Sequence, residues 1–70
     1  MKVPHLGYKK VINAFKRAGW EVVHQRGSHI KLRKDDKTVI VPAHTPLKRS
    51  TLARILKEAD FPLNDFLNYL

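Results

Sequence analysis

The chain has 70 residues, no cysteine, and fourteen Lys and Arg against six Asp and Glu, giving a formal net charge of +8 and a pI near 10.2. A chain this short buries only about 60% of its unfolded surface, so one domain over residues 1–70 with a core a single side-chain layer deep is expected. The lack of cysteine excludes a disulfide framework and a thiolate nucleophile and points to a reducing, cytoplasmic setting; no apolar run approaches the roughly 20 residues of a membrane span, and the N-terminus lacks the apolar stretch of a signal peptide.

In chain order, Tyr8, Val11, Ile12, Phe15 and Ala18 fall at helical spacing, which predicts an amphipathic helix over Tyr8 to Ala18 that Gly19 ends. The β-branched and aromatic run Trp20 to Arg26 predicts a first strand. After Gly27, Ser28 to Arg33 alternates polar and apolar as a second strand should, and Lys34 to Lys37 supplies turn formers. Thr38 to Val41 reads as a third strand stopped by Pro42, which cannot donate to a ladder. Pro42 to Arg49 is a loop, Ser50 is the expected N-cap of a second helix with the stripe Leu52, Ile55, Leu56 and Ala59, and Leu63 to Leu70 predicts a short third helix closing the core through Phe66, Leu67 and Leu70. The order implies an α+β fold, α-β-β-β-α, with both long helices on one face of a three-stranded antiparallel meander and the other face open.

Charge is unevenly distributed along this order. The first twenty residues contain no acid, nor do the twenty-one from Lys37 to Lys57, and such a field favours a polyanion, most commonly a nucleic acid. Because strand side chains alternate between faces, burial of Ile30 and Leu32 places His29, Lys31 and Arg33 in a row on the open side. An exposed histidine among cations suits proton transfer at a phosphodiester, since imidazole gains and loses a proton near neutrality and the cations can offset charge on the phosphate. RNA brings its own nucleophile, the 2′-hydroxyl, so no enzyme nucleophile is needed. On spacing alone, an ordinary surface histidine is the favoured reading of His29. Ser28 either orients a phosphate or simply forms the turn. His5 and His24 have no motif around them and are expected to be surface residues. Four histidines at no familiar ligand spacing give no zinc site, and Asp35-Asp36, the only acidic pair, reads as a solvated turn, so no metal or other cofactor is expected.

The stretches "RGSHIKLR", "VIVPAH" and "TLARILKEA", in this order, resemble the HicA toxins, also called YcfA-like proteins, of bacterial and archaeal toxin-antitoxin pairs. The strongest element is Gly27-Ser28-His29 between a first strand and the apolar Ile30. The resemblance implies a fold similar to a double-stranded-RNA-binding domain, an mRNA endoribonuclease activity and a partner antitoxin of the HicB type. The family's functional histidine falls on His29, and the family often has a histidine at His44, as a second proton-transfer partner or a phosphate contact. Arg26, Ser28, Lys31, Arg33, His44, Lys48 and Arg49 are then the expected RNA contacts. Two positions depart from the commoner pattern: Ser50 stands where a glycine often precedes the second helix, and Asp60-Phe61-Pro62 replaces an Ala-Gly-Leu-Ser-like turn. A rival reading is a non-catalytic RNA-binding module that relies on Lys48, Arg49 and the first helix and has no need of His29. A DNA-binding helix-turn-helix is disfavoured because three strands separate the long helices.

Overall fold

Helix α1 (Tyr8–Arg17) turns Val11, Ile12, Ala14 and Phe15 inward and leaves Lys9, Lys10, Lys16 and Arg17 in solvent, as its apolar spacing requires. The computed structural model describes residues 7–43 and 47–70. At the end of α1, Gly19 adopts φ +101°, its amide donates to the Lys16 carbonyl at 3.1 Å, and the Trp20 amide donates to the Phe15 carbonyl at 2.9 Å. This is the paired hydrogen-bond pattern that satisfies the last carbonyls of a helix. Lys34 Nζ donates to a further one, the Ala18 carbonyl, at 2.8 Å. Trp20, expected to open the first strand, instead belongs to this helix stop. It is buried, with its ring 5.3 Å from that of Phe15 in an edge-to-face contact.

Three strands follow: β1 (Glu21–Arg26), β2 (His29–Lys34) and β3 (Lys37–Pro42), antiparallel and in spatial order β1-β2-β3. Two-residue turns join them, Gly27-Ser28 and Asp35-Asp36, and the first residue of each takes positive φ, 57° and 55° respectively. Short loops of this kind suit the twist of antiparallel strands. Pro42 is the last residue of β3, an edge strand where its missing donor costs no ladder bond. One further rung forms beyond it, from the Ala43 amide to the Ser28 carbonyl at 2.6 Å.

Helix α2 (Arg49–Glu58) buries Leu52, Ile55 and Leu56. It begins two residues earlier than expected: Lys48, not Ser50, is the N-cap, no side chain caps the helix, and Ser50 lies within the first turn. The stop of α2 repeats the pattern seen at α1, with Asp60 at φ 53° in the place of the glycine, its amide donating to the Lys57 carbonyl at 3.1 Å and the Phe61 amide donating to the Leu56 carbonyl at 2.9 Å. The departure at Asp60-Phe61-Pro62 therefore preserves the helix stop, because aspartate tolerates the left-handed region better than most residues. Helix α3 (Leu63–Leu67) is shorter than its apolar spacing suggests. Phe66 is fully buried against Phe15 and Phe61, whereas Leu70 lies beyond the helix and is 47% exposed, so it does not close the core.

The helices cover one face of the sheet. Ile30, Leu32, Val39 and Val41 meet Val11, Phe15, Leu52, Ile55 and Phe66 in a single buried cluster, and no polar or charged side chain is buried among the described residues. The fold is thus the expected α-β-β-β-α arrangement with a short C-terminal helix. The direction of α2 is fixed by its C-terminal end: Lys37 at the start of β3 contacts Asp60, just past the end of α2, at 3.4 Å. Helix α2 therefore runs antiparallel to β3, and its N-terminus lies at the end of the sheet where β3 finishes.

Candidate functional site

The open face is built from the polar positions of the strands. In β2, burial alternates so that Ile30 and Leu32 point to the helices while His29, Lys31 and Arg33 point to solvent, as expected. The neighbouring strands extend these positions into rows, because residues directly opposite one another share a face. Arg26 on β1 and Pro42 on β3 flank His29; His24 and Ile40 flank Lys31; Glu21 and Thr38 flank Arg33.

His24 owes its place to a fault in the β1 ladder. Val22 pairs with Leu32 and His24 with Lys31, so Val23 is an extra residue with no partner of its own. Without this bulge, strict alternation from Val22 would put Val23 opposite Lys31 and turn His24 toward the helices. A one-residue slip moves every later side chain to the other face, and bulges often re-aim side chains in this way. The shift places both His24 and Arg26 on the open side; Val22 and Val23, beside it, are 39% and 45% exposed. The sequence pattern assigns His24 no role; the only signal it offers is the pair of consecutive valines, in which alternation must fail if the strand is to have one apolar face.

His24, Arg26, Ser28, His29, Lys31 and Ile40 line one shallow depression of about 690 Å3 at the β1–β2 end of the sheet. A second, of about 500 Å3, shares His29, Lys31 and Ile40 and reaches past the edge strand β3 to Arg54 and Glu58 on α2. The two meet at His29 and Lys31 and make a trough that runs from the open face round the β3 edge to α2. Its cations are Arg26, Lys31 and Arg54; its one carboxylate, Glu58, lies 4.0 Å from Arg54 Nε. A different depression, at the other end of the molecule, is lined by Lys37, Asp60 and Tyr69 among others and contains no histidine.

The expected site residues are only partly brought together. Arg26, Ser28, His29 and Lys31 are neighbours. Ser28 sits in the turn, exposed, with its carbonyl engaged by Ala43. Arg33 shares the face but not the depression. It is four residues along β2 from His29, roughly 13 Å at the rise of a strand, its Nε donates to the Asp35 carbonyl at 3.0 Å, and it faces Glu21 across the ladder. Lys48 and Arg49 are exposed at the start of α2, which by the direction of that helix is the same end of the sheet as His29. His44 lies outside the described residues. Among the described residues no three His, Asp or Glu side chains gather as a metal-binding group, and no helix is long and apolar enough to cross a membrane.

Chemically, the arrangement offers two imidazoles and several fixed cations on an open, weakly concave surface. Imidazole is the ordinary side-chain proton carrier near neutrality, and a guanidinium with an ammonium can hold the non-bridging oxygens of a phosphate. An extended polyanion fits a trough of this shape better than a small enclosed ligand does.

A protein-family model described as the HicA toxin of bacterial toxin-antitoxin pairs matches residues 8–61, the span from the start of α1 to the stop of α2. No curated protein sequence matches the chain.

Proposed function

Starting from the chain's membership of the HicA toxin family of bacterial toxin-antitoxin systems, we propose that it is an endoribonuclease that cleaves mRNA without a metal ion, with His29 as general acid or base. The observation that carries this reading is the position of His29: exposed on the open face, opposite Arg26, two residues from Lys31, and lining the 690 Å3 depression with both. In the reaction, the 2′-hydroxyl of RNA attacks the adjacent phosphorus, a base takes the hydroxyl proton, the bond from phosphorus to the 5′-oxygen breaks, and an acid protonates that oxygen. The products are a 2′,3′-cyclic phosphate and a free 5′-hydroxyl. Arg26 and Lys31 are placed to offset the charge that builds on the non-bridging oxygens.

The toxin-antitoxin assignment requires a silencing partner, and a HicB-type protein that covers the trough is the proposed one. The cytoplasm, where mRNA and such a partner meet, is the proposed location. Lys48 and Arg49, at the His29 end of the sheet, are proposed to extend the RNA path rather than to define a separate binding surface. A binding module would rely instead on Lys48, Arg49 and the first helix and leave His29 idle.

The test is incubation of the purified protein with an mRNA transcript in excess chelator. Cleavage that persists, with cyclic phosphate at the new 3′ ends, supports the reading. Activity that disappears with chelator and returns with magnesium would refute the histidine mechanism, and intact RNA under all conditions would leave only the binding module.

A further inference from the structure

We propose that His24 is the second proton-transfer group, so that the trough holds an acid-base pair of imidazoles, His24 and His29, with Lys31 between them. This deepens the preceding reading and rests on it. Transphosphorylation of RNA requires two proton transfers on opposite sides of one phosphorus atom, to the leaving 5′-oxygen and from the attacking 2′-oxygen. Each partner must come within about 2.6–3.2 Å of its own oxygen. The two groups must therefore stand on one surface, separated by about the width of a phosphate.

Three observations place His24 and His29 in that relation. Both line the same depression together with Lys31. The register pairs His24 with Lys31 and Arg26 with His29, so the two histidines are diagonal neighbours across β1 and β2, a separation of about 7–8 Å between backbone positions that two imidazoles reaching inward can narrow to span a phosphate. Finally, the bulge at Val23 is what brings His24 to this face. Every residue of β1 is exposed, so the bulge brings no return in core packing, whereas it adds a histidine to the site. Lys31, directly opposite His24 and two residues from His29 on the same face, is positioned to hold a non-bridging oxygen between the two proton carriers.

The balance is complete without a further reactant. One imidazole receives the 2′-oxygen proton as the new oxygen–phosphorus bond forms. The other donates its proton to the 5′-oxygen as the old bond breaks, and solvent restores both.

The experiment uses the purified full chain, a synthetic RNA spanning a mapped cleavage site, and the same RNA with the bridging 5′-oxygen at that site replaced by sulfur. A thiolate leaves without protonation, so a variant lacking only the general acid recovers on the sulfur substrate, whereas one lacking the base does not. His24→Ala and His29→Ala are each expected to lose 10² to 10⁴ in rate on normal RNA while keeping the wild-type melting temperature, and one of the two, not both, should return to the wild-type rate with sulfur. If wild type cleaves and His24→Ala cleaves equally well, the pair is refuted while the role of His29 survives. Loss in both variants with neither or both restored by sulfur also overturns the division of roles. If wild type cuts neither RNA, the ribonuclease reading itself has failed and the pair falls with it.

Discussion

Replacing His29 by alanine should separate chemistry from folding by a wide margin. The side chain is exposed and makes no hydrogen bond or ion pair among the described residues, and the ladder partners of its backbone, Arg26 and Pro42, are unaffected by truncation beyond Cβ. Substitutions at such positions change stability by less than about 0.5 kcal/mol. In a domain of this size that moves Tm by no more than about 2–4 °C. Loss of a proton-transfer group, by contrast, lowers the rate by 10² to 10⁴, on the order of 3 to 5 kcal/mol of barrier. Thermal unfolding followed by circular dichroism and RNA cleavage, measured on one preparation, read the two quantities independently. A variant that melts like wild type and has lost cleavage and cellular toxicity supports the catalytic role. A variant that is inactive because it is unfolded makes His29 structural, and a folded variant that still cuts removes it from the chemistry and refutes the argument from its exposed position.

Binding to uncleavable RNA should weaken steeply with salt, with a slope of about −0.7 per phosphate contacted on a single strand, measured by fluorescence anisotropy over a salt series; a flat response would mean that the cations of the trough do not carry affinity. Lys31→Glu should weaken both RNA binding and antitoxin binding, because a partner that silences the trough must present acidic or apolar surface to it; an antitoxin footprint confined to the helical face, by hydrogen exchange on the complex, would count against occlusion of His29. Phe66→Ala should destabilise the fold by about 3–5 kcal/mol, since the ring is fully buried between Phe15 and Phe61 and α3 has no other buried side chain; denaturant unfolding with a midpoint equal to wild type would show that α3 is dispensable.

The elements and their order were legible in the sequence because each rests on short-range physics. Side-chain period separates α1 from β2, Gly19 stops a helix where only a positive φ will do, and the alternation of Ser28 to Arg33 assigns His29 and Lys31 to the open face once Ile30 and Leu32 are taken as buried. The motif around Gly27-Ser28-His29 carried the family. Boundaries were less legible where two local signals compete. Ser50 has the side chain of an N-cap, yet Lys48 holds that position, and Trp20 has the composition of a strand residue, yet its amide completes the stop of α1.

What only the tertiary structure decided are properties of pairs rather than of single segments. The slip at Val23 is defined by hydrogen bonds between β1 and β2, so nothing within Glu21 to Arg26 alone states that His24 faces Lys31. Arg33 reads as one more cation in a row until the Asp35 carbonyl takes its Nε and the far end of β2 separates it from His29. Leu70 continues an apolar spacing whose helix ends at Leu67, and it stays 47% exposed while Phe66 fills the place beside Phe15. Composition and periodicity thus determine which residues are available to the surface and to the core. Which of them meet is set by strand register and helix direction, and both arise from packing the whole chain at once.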